Sequence, residues 1–504
     1  MKRNPFAATI IVSILTLAWS APVLAQHRHY KFIDLGTFGG PASYFANTHD
    51  GILNNGGTAV GWADTSAADA FPIFCFNIDC FVSHAFVSQN GARTDLGTLP
   101  GGASSQAVWI SSNGIIAGTA QNGEEDPLLP GWGQFRAVLW KDGKIIDLGT
   151  LEGGYESAIG NVNSKGQAVG LSLNTVPDDF SLIAPGFFPT QTRAFLWQNG
   201  VMQDLGTLGG DDAIADFINE RGQVAGNSYT NTTPNATTGV PTLDPFLWEN
   251  GKMTDLGTLG GTNGTPLGFN NRGEVVGISN LAGDAIPHPF LWTRKHGMQD
   301  LGTLGGDTGL TNWINDSGDI AGKVDLPGSV SPQDHHAVLW RHGRLIDLGT
   351  FPVDTSSNAY YVNSRGQVVG TSEDRAHMVI GVGEHAFLWE GNGPMVDLNT
   401  LIPAGSSLQL TYAVAINDRG EIAGFGVAQG VPPENYETEG HAYILIPCDE
   451  DHPNLEGCDY SQADADAQAR PAAHEAPTPM APATSWRYKN RVPGNVTRSG
   501  KLAD

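Results

Sequence analysis

The chain has 504 residues, of which 65 are glycine and only 16% are charged, with 52 acidic against 27 basic side chains. A formal net charge of −25 repels phosphate backbones and excludes nucleic acid as an expected partner. The low charge density excludes a charge-driven disordered chain, and the glycine excess points to many tight turns.

Taken in order, the chain opens on a targeting pattern. Lys2 and Arg3 precede an apolar run over residues 6–19, and Val23, Leu24 and Ala25 supply a signal-peptidase site. Residues 1–25 are therefore read as a cleaved signal peptide. An uncleaved anchor is the alternative, but the run is short for a bilayer core of ~30 Å. No later stretch is apolar enough to span a membrane, so the mature chain is expected to be secreted, periplasmic or extracellular.

Four cysteines follow in two close couples, Cys75 with Cys80 and Cys448 with Cys458. In an exported protein such spacing reads as local disulfides, one pairing of three possible connectivities. Zinc binding is the rival, and neither couple has a second Cys or His pair at zinc spacing.

From residue 26 to 447 one unit recurs. Its clearest part is Asp-Leu-Gly-Thr-Leu-Gly-Gly, at 204–210, 255–261 and 300–306, with weaker copies beginning at Asp34, Asp95, Asp147, Asp347 and Asp397. Next comes Asn-x-x-Gly before an aliphatic pair and a further Gly, as at 163–170. Then a His/Arg-Ala-Phe-Leu-Trp segment leads to an Asn-Gly or His-Gly turn. Each part is short, β-rich and bounded by turn residues, with no helical period. Four strands in a repeat of about 52 residues predict an all-β fold, a β-propeller of eight four-stranded repeats, with seven blades as the alternative. A parallel β-helix is the rival, with shorter coils. The first repeat lacks a His-Ala-Phe strand before it and the last lacks an Asp-Leu-Gly after it, so the N- and C-terminal strands are expected to pair and close the ring. Constant spacing makes the Asp-Leu-Gly loop read as a strand-to-strand turn within each blade. Strand direction places both tight turns on one face and the Gly-rich and variable loops on the other. Residues 448–460 read as a disulfide-bonded acidic loop. Residues 461–504, rich in Ala, Pro and Asp and basic at the end, read as a disordered tail.

The repeats resemble the HAF repeat family, bacterial proteins assigned to the extracellular space. The resemblance rests on His84-Ala85-Phe86 and His385-Ala386-Phe387, with near matches at 193–195, 336–338 and 441–443, and covers about residues 30–447. It implies export and a repeat fold, and carries no reaction or catalytic residue.

Residue types that might bear chemistry recur with the repeat. The histidines His84, His288, His336, His385 and His441 invite a metal ring, but Arg136, Arg193 and Asp244 occupy the same position, so a polar strand start is the reading preferred. His335 beside His336 lacks the helical spacing of zinc hydrolases. The eight Asp of Asp-Leu-Gly could line a channel or hold calcium, but Asp before Gly more often fixes a turn by accepting backbone N–H bonds. Trp140, Trp197, Trp248, Trp292, Trp340 and Trp389 end equivalent strands and are read as packing between blades. Trp132 and the Phe187-Phe188 pair, in long connections, are the candidates for binding a glycan or protein. No catalytic residue, metal ligand or cofactor is assigned, calcium being the one cofactor weighed. The expected function is a secreted, monomeric binding module for an extracellular protein or surface glycan, through the variable-loop face. The alternative is a polysaccharide- or lactone-acting hydrolase or lyase with its site in the central channel.

Overall fold

The computed structural model describes residues 29–458 apart from 47–50, 71–74, 78, 152, 184–187, 329–333, 375–383, 392 and 454. The signal peptide and the C-terminal tail read from the sequence lie outside the described residues. The chain folds as a β-propeller of eight four-stranded antiparallel blades. Blades 1 to 7 use residues 39–95, 105–147, 157–204, 213–255, 260–300, 309–349 and 356–397. Blade 8 combines residues 408–447 with the N-terminal strand Tyr30–Asp34. One parallel bridge, Leu243 to Asn263, joins blades 4 and 5 into an eight-stranded sheet.

Closure occurs as the incomplete end repeats require. Tyr30–Asp34 pairs antiparallel with Gly440–Pro447, Tyr30 opposite Pro447 and Asp34 opposite Tyr443. A continuous apolar cluster then unites blade 8 with blade 1 through Phe45, Ile52, Val414 and Ile444.

The phase of the repeat differs from the sequence reading. Each blade begins with the strand after the Gly-rich loop, at the channel, and ends with the strand that runs into Asp-Leu-Gly, at the rim. In blade 4 that outer strand, Lys252–Asp255, pairs with Leu243–Glu249. The Asp-Leu-Gly loop is thus the connector between blades and not a turn within one. The chain has to travel from rim to channel there, and constant blade width makes that path as regular as an internal turn. Its leucines, among them Leu148, Leu205, Leu256 and Leu398, are buried. Leu205, for instance, packs with Ala213, Val224 and Phe246 of the next blade. Burying one such side chain contributes about 1.5–3 kcal/mol.

The strand motifs have steric causes. The Gly ending the aliphatic motif sits on the second strand opposite the Phe of the third, as Gly170 opposite Phe195 and Gly370 opposite Phe387. A Cβ on Gly370 would lie 1.9 Å from the Asn358 carbonyl oxygen and 2.7 Å from the Phe387 ring. The inner strand is bulged at this level, with skipped register between Ala359 and Tyr361, which brings its carbonyl over the second strand. Phe86, Phe195, Phe246, Phe290 and Phe387 are consequently fully buried. The outer hairpins turn through paired positive φ angles, such as Asn199 at 52° and Gly200 at 82°, the geometry for which Asn-Gly is suited.

The Asn-x-x-Gly turn has a second role that a local reading misses. Asn363 Oδ1 accepts the N–H groups of Arg365 and Gln367, which shapes the turn. Its Nδ2 donates to the Asn417 carbonyl of the next blade at 2.9 Å. Asn163, Asn219, Asn270, Asn315 and Asn417 do the same, reaching Asn219, Asn270, Asn315, Asn363 and Asn54 in turn. Asn54 reaches the Ser111 carbonyl. Blade 2 has Ser111 at this position, and Asn113 supplies the bond to the Ser164 carbonyl instead. The result is an unbroken circle of amide-to-carbonyl bonds through all eight blades.

Replacing Asn363 with Ala removes the acceptor of two turn bonds and the inter-blade donor at a buried position. The expected loss is about 2–4 kcal/mol, read as a lower midpoint in thermal and denaturant unfolding. Asn113→Ala, at an exposed position, should cost under about 1 kcal/mol.

Candidate functional site

The repeated His/Arg and Asp side chains form a scaffold on the loop face. In every blade the Asp of Asp-Leu-Gly accepts the backbone N–H two residues on, as Asp95 from Gly97, Asp204 from Gly206 and Asp397 from Asn399. In five blades the same carboxylate also meets the histidine or arginine at the start of the third strand, through its other oxygen in Asp95 and through the same oxygen in Asp34 and Asp347. His84 bonds Asp95 at 2.8 Å, Arg193 bonds Asp204 at 3.0 Å, His288 bonds Asp300 at 2.9 Å, His336 bonds Asp347 at 2.8 Å and His441 bonds Asp34 at 2.9 Å. Burial alone would raise Asp34 and Asp347, but the histidine and the backbone donor hold both below the usual carboxylate range. His385 instead bonds Asp354 at 3.4 Å, and that bond raises its pKa. His335 is buried on the third strand of blade 6. Among the described residues, no group of three or more His, Cys, Asp or Glu is arranged to hold a metal ion.

The variable loops are unequal. Trp132 meets Phe188 edge-on at 5.6 Å and Phe135 at 6.2 Å. Phe188 is buried with Leu171, Leu173, Ile183 and Ile214. Trp132 and Phe188 therefore join the loops of blades 2 and 3, with Phe188 buried and Trp132 partly exposed, while Phe187 lies outside the described residues. The strand-ending tryptophans also pack between blades, and Trp140 and Trp340 donate to the Leu96 and Leu301 carbonyls of the preceding connector.

Both disulfides form within their couples, Cys75 to Cys80 and Cys448 to Cys458. The first closes a loop that carries Asn77 and Asp79 to the buried Asp64. Asn77 donates to both carboxylates, and the Tyr44 hydroxyl donates to Asp79. The second ties down a loop whose His452 lies between Asp449 and Glu421.

The variable loops of blades 1 to 3 each set a carboxyl beside a buried one, on the second strand of blade 1 and just before the inner strands of blades 3 and 4. Burial, then the neighbouring Asp79, pushes Asp64 up to about 8. Burial and Asp126 push Glu156 up to about 9. Burial and Asp178 outweigh the Thr192 and Leu182 N–H bonds and bring Asp212 to about 8. Asp216, at the bulge of the inner strand of blade 4, rises to about 8 through burial alone, and its Oδ2 has no partner.

A cavity of about 300 Å³ opens on the opposite, tight-turn face at the channel axis. All eight blades line it. Trp313 stacks on Tyr361 at 4.3 Å and approaches Trp109 of the blade across the ring at 6.3 Å. These rings and Phe269 are partly exposed and floor the cavity. Asn161 also lines it, and its Oδ1 has no hydrogen-bond partner. Around the mouth Glu220 accepts the Ser164 N–H, Asp316 that of Asn271, and Asp418 that of Ser364. Burial would raise Asp418, but the Ser364 and Asn55 bonds and the Arg365 charge hold it low. This cavity was not legible in the sequence. Its trace there is an aromatic residue two places before the turn Asn, at Trp313 and Tyr361, but channel-facing positions cannot be separated from packing ones until the bulge is known.

No family model and no curated protein sequence matches the chain. Solved structures with similarity include the β-propeller domain of the Trilobed protease from Pyrococcus furiosus, at 10% identity and TM-score 0.41, covering 74% of this chain and 98% of that one. A Mycobacterium tuberculosis puromycin-hydrolyzing peptidase gives 12% identity and TM-score 0.41, covering 78% of this chain and 61% of that one. An oligogalacturonate lyase in complex with manganese gives 12% and 0.34, covering 84% and 99%. Likeness at this level carries no information on activity.

The raised carboxyls set a pH dependence. Their folded pKa values of about 7 to 9 exceed those of an unfolded chain, so the native state binds extra protons. The stability they contribute is complete only below the unfolded carboxylate pKa of about 4 and is lost as pH rises from there through the folded values. Thermal midpoints should fall by several degrees between pH 5 and 8, and Asp216→Asn should make that fall shallower, its midpoint matching the native one near pH 4 and exceeding it at pH 8.

Proposed function

We propose that this protein is an exported, non-catalytic binding propeller that takes the end of a neutral surface glycan into the channel cavity on its tight-turn face. The observation that carries this reading is the aromatic floor of Trp109, Trp313 and Tyr361 beneath a mouth lined with amides and carboxylates. Apolar sugar faces stack on such rings, and hydroxyl groups find acceptors such as Asn161 Oδ1. A volume of about 300 Å³ suits one or two sugar rings. Glu220, Asp316 and Asp418 at the mouth disfavour uronic acids and sulfated sugars. The two disulfides accord with an oxidising compartment outside the cytoplasm. The sequence favoured the variable-loop face. The packing of Trp132 and Phe188 into a loop core moves the preferred site to the opposite one.

A glycan array followed by calorimetry on the mature protein tests the proposal. Trp313→Ala and Asn161→Leu should each weaken capture of a neutral glycan by tenfold or more. Leu128→Asp with Val176→Asp, on exposed residues of the loop face, should leave it unchanged. Loss only in the loop-face variant would place the site there. Release of sugars or opening of lactones by the purified protein would establish the hydrolase or lyase reading instead.

A further inference from the structure

Blade 4 breaks the charge pattern of the ring. At the start of the third strand, where the other blades carry His or Arg, it carries Asp244. The register is the same in each. Asp244 lies two residues before Phe246, which faces Asp255, as His288 lies two before Phe290, which faces Asp300, and His336 two before Val338, which faces Asp347. Two carboxylates therefore meet where blades 1, 3, 5, 6 and 8 join a carboxylate to a histidine or arginine.

The site keeps the other features of a cation position. Asp255 still accepts the Gly257 N–H through one oxygen. In blades 3 and 5 the cation also donates to a carbonyl of the next blade, Arg193 to Asp211 and His288 to Asp307. The residue equally spaced after Asp255 is Thr262, whose own N–H and hydroxyl are fixed by Asp284. Asp244 is only 8% exposed, and its buried Oδ1 has no hydrogen-bond partner. An unpartnered carboxylate oxygen at that depth is costly unless something positive lies against it.

We propose that Asp244 and Asp255, with the Thr262 carbonyl, bind a hard divalent cation of the calcium class where other blades use an imidazole or guanidinium side chain. Oxygen donors of this kind, two carboxylates and a carbonyl completed by water, are the ligands calcium selects. Calcium would then take the role of the missing side chain, tying the rim of blade 4 to the connector into blade 5. This site is independent of the channel cavity and of any ligand taken there.

The test is the thermal midpoint of the mature protein at pH 8, in EDTA and in millimolar CaCl₂, with terbium luminescence as a direct readout of occupancy. Calcium should raise the midpoint by a few degrees, and terbium emission should appear and be displaced by calcium. Asp244→His rebuilds the pair of the other blades. It should melt in EDTA at or above the calcium-loaded native protein and show neither a calcium shift nor terbium emission. Asp255→Asn, whose amide oxygen can still accept the Gly257 N–H, should fold and lose both responses. A native midpoint unchanged by calcium would overturn the proposal, as would a calcium shift retained at full size in Asp244→His or Asp255→Asn.

Discussion

The interaction on which the ring depends is the circle of asparagine amides on the tight-turn face. Each of these side chains uses its oxygen to hold its own turn and its nitrogen to hold the next blade. Local geometry and inter-blade geometry are thereby set by one residue. Other bonds cross between blades, such as Ala137 N–H to Ser157 Oγ and Asn312 Nδ2 to the Ala359 carbonyl, but the asparagine circle runs through all eight. The circle fixes the rotation between blades at the channel, and buried connector leucines such as Leu205 and Leu398 fix it on the other face. The substitution of Ser111 in blade 2 shows how strong the requirement is, since Asn113 restores the bond from a different place.

Much of this architecture was legible in the sequence because repetition reports strand number, turn type and closure. Asn-Gly turns, the eight Asp-Leu-Gly copies and the mismatched end repeats each correspond to a feature of the fold. What repetition could not report was phase. The distance from one motif to the next is the same whether a loop lies within a blade or between two, and only pairing distinguishes them. The asparagine circle was hidden for a related reason. Asn is a satisfactory turn residue on local grounds, so its second partner in another blade left no local trace beyond its recurrence where Asp or Ser would also make the turn.

Candidate sites were less legible than the fold. Trp132 and Phe188 stand in irregular loops, which suggested exposure, but blades 2 and 3 fold those loops against each other around a small apolar core. The cavity residues Trp109, Trp313 and Tyr361 looked like ordinary members of inner strands. Their access to the channel depends on the bulge in each of those strands, an extra residue that shifts which side chain faces the axis. The deviation at Asp244 was visible in the sequence as an exception to the histidine series. Its meaning required the register that places it against Asp255.

The closing strand has a consequence for how the protein is made. Tyr30–Asp34 is near the start of the chain, and its partner Gly440–Pro447 is near the end. During synthesis or export from the N terminus, the first segment to emerge has to wait for the last before its edge is covered. Seven blades can assemble from neighbouring segments, but the ring cannot lock until more than four hundred residues separating these strands have been delivered. For that interval an apolar β-edge is open to other chains. The burden of avoiding mispairing thus falls on the earliest residues, and the rate of chain delivery, more than the strength of any blade, sets how long the exposure lasts.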